Sequence, residues 1–135
     1  MILADTSAWV EYDRATGSKA DRRIAELITT DGPLMFTEPV LMEVLAGARS
    51  DVRDLRRMLL RFRLAHFDAV TDFDAATRIY RRCRQAGFTP RGMVDCMIAA
   101  VAYRRALALL AWDADMFRVA KVIGIELDEA SLAPS

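Results

Sequence analysis

Short apolar runs alternate with longer segments of helical periodicity along this chain. The runs suited to strands are MILAD (1–5), LMFT (34–37), LAHF (64–67), LALLA (107–111) and IEL (125–127). Helical patterns occupy residues 18–30, 39–47, 51–63, 72–86, 92–103 and 114–122. Strands that alternate with helices are typical of a mainly parallel sheet covered by helices. The alternation therefore predicts an α/β fold with a sheet of about four to five strands.

The length of 135 residues is that of one ordinary domain, so we expect residues 1–135 to form a single domain. Uninterrupted apolar runs such as residues 106–112 are much shorter than the roughly 18 residues that a bilayer-spanning helix needs. Asp5 interrupts the amino-terminal apolar stretch before a signal-like core develops. Both cysteines, Cys83 and Cys96, fall inside predicted helices, as reduced buried thiols do. We expect a soluble, cytoplasmic protein that has no contact with a membrane.

Five acidic residues fall where a parallel sheet would bring them together. Asp5 ends the first strand, Asp113 and Asp115 follow the fourth, and Glu43 and Asp95 lie within apolar helical segments, Asp95 close to the start of its helix. In such a sheet, the carboxyl ends of the strands and the amino ends of the helices that follow lie at one edge. The sequence therefore predicts that these five carboxylates meet at that edge.

Each acid also has a simpler explanation when it is taken alone. Asp95 would favour the positive end of its helix dipole by about 0.3 to 1 kcal/mol, Asp5 could cap the turn at residues 6–8, and Glu43 could pair with an arginine. Taken together, however, crowded carboxylates raise one another's pKa values and repel, so a compensating cation is needed.

A site made of oxygen ligands, with no histidine or cysteine, favours a hard divalent ion such as Mg²⁺ or Mn²⁺. An ion in such a site lowers the pKa of an attacking water and neutralises charge on phosphoryl oxygens, which suits in-line attack on a phosphodiester. The ligand type therefore predicts a metal-dependent reaction at phosphorus.

Four sequence blocks resemble, in order and spacing, the signature blocks of PIN-domain ribonucleases, specifically VapC-type toxins of bacterial toxin–antitoxin pairs. The blocks are ADTSAWVEY, EPVLMEVLAGA, RGMVDCMIAAVA and LLAWDADMFRVA, and together they span almost the whole chain. The resemblance implies a three-layer α/β/α fold, cleavage of RNA as an endonuclease, dependence on Mg²⁺ or Mn²⁺, frequent homodimers and inhibition by a cognate VapB-like antitoxin.

Carried over by position, the resemblance also assigns roles to residues of this chain. It implies that the catalytic acids are Asp5, Glu43, Asp95, Asp113 and Asp115, and that all of these except Glu43 are metal ligands. It places Thr6 and Ser7 beside the site as polar neighbours that would meet the substrate.

One position departs from the pattern. Many relatives have a threonine or histidine two residues before the first acid of the last block, where this chain has Ala111 followed by Trp112. The departure leaves open whether Asp113 or Asp115 is the principal ligand, and we favour Asp113.

The charge distribution is consistent with a polyanionic substrate. Acids and bases balance at 19 each, so 14 acids remain against 19 bases once the five predicted site acids are set aside. Arginine side chains commonly contact phosphates. Arg91 directly precedes the segment that contains Asp95, so we expect it at the rim of the site, in contact with substrate.

Two other interpretations of the sequence remain open. A phosphoacceptor receiver domain has a similar length and alternation and could use Asp5 for Mg²⁺ and Asp68 as acceptor, but Glu43 and Asp95 would then have no role. The second is a binding module in which the acids no longer catalyse a reaction.

Overall fold

The computed structural model describes residues 1–134, which contain four short strands and seven helices. The strands are β1 (Ile2–Ala4), β2 (Leu34–Phe36), β3 (Arg63–Leu64) and β4 (Ala108–Leu110). The helices are α1 (Thr6–Asp13), α2 (Lys19–Thr29), α3 (Glu38–Ala46), α4 (Val52–Leu59), α5 (Ala69–Gln85), α6 (Met93–Arg105) and α7 (Ala114–Ile123).

The four strands form one parallel sheet in the order β3-β2-β1-β4. Ile2 of the central strand β1 pairs with Leu34 on one side and with Ala108 on the other. Because every pairing is parallel, all four strands end at the same edge of the sheet. The predicted α/β fold with a parallel sheet is confirmed. The order also differs from that of receiver-like folds, in which the third strand lies beside the first.

Helices cover both faces of the sheet, which gives three layers. Parallel strands are joined by right-handed crossovers, so connections that run in opposite directions across a sheet lie on opposite faces. Strands β1, β2 and β3 progress in one direction, whereas the connection from β3 to β4 returns across the sheet. Helix α1 packs against α2 and α3, α3 packs against α4, and α5, α6 and α7 form a second group.

The core lies between the sheet and these helices. Trp9 of α1, Ile24 of α2, Leu59 of α4 and Ile98 of α6 are fully buried. Each apolar side chain of this size that is buried contributes about 1.5 to 3 kcal/mol. Leu55 and Leu59 of α4 belong to this core, and so do Cys83 and Cys96, both of which are buried free thiols.

Side-chain caps explain several helix starts. Ser18, Asp51 and Asp68 each accept a hydrogen bond from a backbone N–H in the first turn of the helix that follows. Such caps satisfy donors that would otherwise lack partners. The cap at Asp68 starts α5 three residues earlier than the apolar pattern predicts.

Two elements differ from the sequence-based prediction. Helix α1 was not predicted, because its eight residues contain too few turns to establish a period. The last predicted strand, residues 125–127, is reduced to a single bridge between Leu109 and Leu127. A turn begins there, in which the Asp128 side chain accepts a hydrogen bond from the Ala130 N–H and forms an ion pair with Arg23 of α2.

Within residues 1–134, the helices are all too short or too polar to cross a membrane.

Candidate functional site

Asp5 lies at the carboxyl end of β1, in the middle of the sheet edge. Its side chain is 2% exposed and caps α1 by accepting a hydrogen bond from the Ala8 N–H at 3.3 Å. The Ser7 hydroxyl donates to Asp5 Oδ1 at 2.5 Å and accepts from the Trp112 N–H at 2.8 Å. Ser7 therefore joins the end of β1 to the segment that follows β4 and holds the Asp5 carboxylate in one orientation.

Asp95 and Glu43 approach this edge from two helices. Asp95 lies in the first turn of α6, where the helix dipole favours a negative charge, and is half-buried. Glu43 lies in α3, and its Oε1 accepts a hydrogen bond from the Thr6 hydroxyl at 2.6 Å. The hydroxyls of Thr6 and Ser7, predicted to meet substrate, are thus both bonded to site acids.

Asp113 and Asp115 follow β4 and are held by arginines. Asp113 caps α7 by accepting from the Met116 N–H at 2.9 Å, and its other oxygen accepts from the Arg91 guanidinium. Asp115 accepts from both the Nε and the backbone N–H of Arg91, at 3.0 and 3.1 Å, and from Arg118 at 2.8 Å. Arg91 therefore lies at the rim of the site, where the sequence predicts it.

The pKa values show that the carboxylates crowd one another. Burial raises the pKa of Asp5 to about 7; the hydrogen bond from Ser7 opposes the rise, and the negative charge of Asp95 adds to it. Burial also raises the pKa of Asp95 to about 6, with further contributions from the charges of Asp113 and Glu43. The charges of Asp115 on Asp95 and of Asp113 on Asp5 act in the same direction, so all five predicted acids interact electrostatically.

Asp115 differs from Asp5 and Asp95. Burial alone would raise the pKa of Asp115, but the hydrogen bonds and charge of Arg91 and the hydrogen bond from Arg118 hold it below its ordinary value. The protein itself supplies the positive charge for this acid. That arrangement favours Asp113 over Asp115 as an acid that is free to bind an ion.

The donor set fits a hard divalent ion, although the side chains are not drawn together around a common point. Aspartate and glutamate oxygens are the ligands that Mg²⁺ and Mn²⁺ prefer. Among residues 1–134, no three Asp, Glu, His or Cys side chains are placed so that they could hold one ion. Binding at Asp113 would require its carboxylate to leave Arg91.

One cavity among the described residues lies away from this site. It has a volume of about 500 Å³, lies between α5, α6 and α7, and is lined by side chains that include Arg78, Arg82 and Tyr103. The acids lie at an open edge of the sheet, which suits an extended substrate better than an enclosed small molecule.

Sequence reasoning missed Arg118. Its spacing of three residues from Asp115 on α7 is the signal that could have indicated the pair. It also missed the Ser7 contact with Trp112, because those residues are distant in sequence and the bond uses a backbone N–H.

Comparison with known proteins identifies the family to which this chain belongs. The profile of the PIN domain family matches residues 2–122. VapC ribonuclease Mb1587 of Mycobacterium bovis and ribonuclease VapC11 of Mycobacterium tuberculosis are each 40% identical to this chain over 129 residues, which cover 93% of this chain and 96% of each relative. The chain belongs to the PIN-domain family of VapC ribonucleases. The resemblance of the four sequence blocks is thereby confirmed.

Solved structures of VapC proteins share the fold. The VapBC2 complex of Rickettsia felis, bound to a promoter DNA fragment, has a TM-score of 0.71 at 18% identity and covers 95% of this chain and 98% of its own. VapC20 of Mycobacterium tuberculosis, a toxin that cleaves the sarcin-ricin loop, has a TM-score of 0.64 at 20% identity, with 87% and 93% covered. At these identities the likeness concerns the VapC fold alone.

Proposed function

We propose that this chain is an endoribonuclease that depends on Mg²⁺ or Mn²⁺ and acts as the toxin of a toxin–antitoxin pair. The observation that carries the proposal is the pair of acids at the sheet edge, Asp5 and Asp95, whose pKa values are raised to about 7 and about 6. Neither acid is in an ion pair within residues 1–134. A bound divalent ion would offset their repulsion.

Asp5, Asp95 and Asp113 are the acids that we assign to the metal. When bound, the ion lowers the pKa of an attacking water and neutralises charge on the phosphoryl oxygens. Ser7 orients Asp5, and Thr6 orients Glu43, through the hydrogen bonds described above. Glu43 is placed to order water molecules around the ion or to accept a proton from one of them.

Asp115 has a supporting role in this proposal. The sequence-based assignment of Asp115 as a ligand stays a prediction, but its two arginine partners favour a different function, that of holding Arg91 and Arg118 at the rim. Arg91 is 71% exposed at its side chain and can reach a phosphate of the RNA backbone.

The proposed partners follow from the relatives. We assign a VapB-like antitoxin as the inhibitor, because similar structures are of toxin–antitoxin complexes from Klebsiella pneumoniae and Rickettsia felis. The homodimer stays a prediction from the family resemblance. The cytoplasm, where RNA and an antitoxin are both present, is the compartment that this function requires.

The test is incubation of the purified protein with tRNA, rRNA and mRNA, with Mg²⁺, with Mn²⁺ and with a chelator, followed by mapping of the RNA ends. We expect new ends at defined positions only when a divalent ion is present. Asp95→Asn is the inactive control, and Asp74→Asn, which alters an exposed acid of α5, controls for loss of charge. Cleavage by Asp95→Asn at the wild-type rate would contradict the proposal. A chain that binds Mn²⁺ and RNA yet leaves every RNA intact would instead be a non-catalytic binding module.

A further inference from the structure

Arg91 makes two contacts of different strength at the edge of the acid site. It lies just before α6, and its guanidinium donates to Asp113 through Nη2 and to Asp115 through Nε, the latter at 3.0 Å. The Arg91 side chain is 71% exposed, whereas the Asp113 and Asp115 side chains are 21% and 10% exposed. One largely exposed cation therefore bridges two carboxylates that are mostly shielded from solvent.

The two carboxylates do not depend on Arg91 equally. Asp115 also receives the Arg91 backbone N–H and the Arg118 guanidinium, so it stays compensated if the Arg91 side chain moves. Asp113 Oδ2 is held by the Met116 N–H of its own helix, which leaves Oδ1 with Arg91 as its side-chain partner within residues 1–134. The contact with Asp113 is therefore the one that can be released without leaving Asp115 uncompensated.

We propose that Arg91 is a positioning residue that occupies Asp113 in the metal-free protein and competes with the divalent ion for that carboxylate. The inference rests on the proposed function, since it takes Asp113 to be a metal ligand. Upon metal binding, Asp113 exchanges the guanidinium for the ion, while Asp115 and the backbone keep Arg91 at the rim. The freed guanidinium donors then face the side from which RNA approaches, where a fork of N–H donors matches a phosphate.

The energetics favour such an exchange. An exposed ion pair contributes little to stability because water and salt screen it. A divalent ion carries twice the charge of Arg91 and, when bound, would relieve the repulsion among Asp5, Asp95 and Asp113. Arg91 therefore weakens metal binding slightly, and prevents the carboxylate cluster from remaining wholly uncompensated when no ion is bound.

The first experiment measures Mn²⁺ binding by electron paramagnetic resonance, with the full-length protein and without RNA. We expect Arg91→Gln to bind Mn²⁺ about fivefold more tightly than wild type, a size that the loss of one exposed ion pair predicts. Arg118→Gln is the matched control, because it removes an arginine that contacts Asp115 but not Asp113. Its affinity should stay within about twofold of wild type, since a screened surface charge has a small effect at a distance.

Three outcomes would overturn the inference. Equal tightening by both variants would mean that only net charge matters, and weaker binding by Arg91→Gln would mean that Arg91 organises the metal site. The absence of Mn²⁺ binding in wild type and in both variants would remove the metal site itself, and with it the proposed function. In the first two outcomes the metal site is still present, so the two failures can be told apart.

The second experiment follows the side-chain N–H signals of Arg91 by NMR during titration with Mg²⁺, which is diamagnetic. We expect the Arg91 Nη signals to broaden or shift as the contact with Asp113 is lost, while the Arg118 signals stay in place. In Asp113→Asn the Arg91 signals should already be at the Mg²⁺-bound position before any ion is added. If the protein binds Mg²⁺ and the Arg91 signals do not change at saturating Mg²⁺, the proposed exchange is contradicted.

Discussion

Two regions of this molecule bury a carboxylate, and they differ in whether an arginine compensates its negative charge. Asp72, in the first turn of α5, is fully buried and meets both Nε and Nη2 of Arg104, at 2.9 and 2.7 Å. Burial alone would raise the pKa of Asp72, but Arg104 holds it below its ordinary value. Asp5 is almost equally buried and has no such partner, so its pKa rises to about 7.

The difference separates a structural acid from a candidate catalytic one. The bond between Asp72 and Arg104 ties the start of α5 to the end of α6, and Arg104 also donates to the His66 carbonyl at 2.7 Å. At the sheet edge, by contrast, Asp5 and Asp95 form no ion pair within residues 1–134, and their charges repel one another. A fold retains such repulsion where an external cation is used, and perturbed pKa values cluster at functional sites for that reason.

The largest expected effect is on cleavage. Asp95→Asn should lower the rate of RNA cleavage by about 10³-fold, because a lost metal ligand removes several kcal/mol of stabilisation from the transition state. Its free energy of unfolding without metal should be no lower than that of wild type, because one repelling charge is gone. Single-turnover cleavage and urea unfolding in chelator measure the two quantities. Failure of Asp95→Asn to fold would show that Asp95, like Asp72, has a structural role.

Substitution of Asp72, the acid paired with arginine, should affect stability rather than cleavage. Asp72→Asn should lower the free energy of unfolding by about 3 kcal/mol, because it leaves the partly buried Arg104 without its charged partner. Urea unfolding checks the value. The matched control is Asp74→Asn, which breaks an exposed ion pair with Arg78 on the same helix and should change stability by no more than about 0.5 kcal/mol. Similar values for the two substitutions would show that burial does not distinguish these pairs.

The pH dependence of stability should reveal the uncompensated acid. Between pH 3.8 and about 7, folded Asp5 keeps a proton that the unfolded chain has lost, so stability falls as pH rises through this range. Asp5→Asn should therefore stabilise the metal-free protein by about 2 kcal/mol at about pH 8 and by almost nothing at about pH 4. Urea unfolding in chelator at both pH values is the measurement. An equal gain at both pH values would mean that charge is not the cause.

The smallest expected effect is the stabilisation of the wild-type protein by bound Mg²⁺. With a dissociation constant of about 1 mM, Mg²⁺ at about 10 mM should raise the free energy of unfolding of wild type by about 1.4 kcal/mol. The rise should vanish in Asp95→Asn and persist in Asp72→Asn. Thermal unfolding with and without Mg²⁺ suffices, with matched ionic strength from NaCl as the control. A gain that persists in Asp95→Asn would place the ion elsewhere.

The fold was predictable because the alternation of apolar runs and helices repeats often enough to exclude other classes. The buried runs at β1, β2 and β4 and the apolar face of α2 all lie where the pattern indicates. Helix α1 was missed because it is short, and the reduced last strand was missed because the pairing of Asp128 with Arg23 is a tertiary contact. Periodicity indicates which face of a helix or strand is buried, but it does not indicate which residue a loop side chain contacts.

The residues of the candidate site could be predicted from the sequence, but the ion pairs that they form could not. The topology of a parallel sheet brings Asp5, Asp95 and Asp113 to one edge, and that follows from the order of elements. Which acids would be compensated by arginine did not follow, because Arg91 reaches Asp113 and Asp115 across 22 and 24 residues, and the spacing of Arg118 from Asp115 permits a contact without specifying it. The distinction between Asp113 and Asp115 therefore came from the structure.

The acids of the site come from four separated stretches of the chain, and Asp113 is made after more than four-fifths of the 135 residues have been joined. With these acids in their proposed roles, a nascent chain has no nuclease activity until β4 and the segment beyond it have emerged from the ribosome. Messages cut short before that point yield products without the last carboxylate. For a protein whose target is RNA, this late completion separates translation of the toxin from the onset of its toxicity.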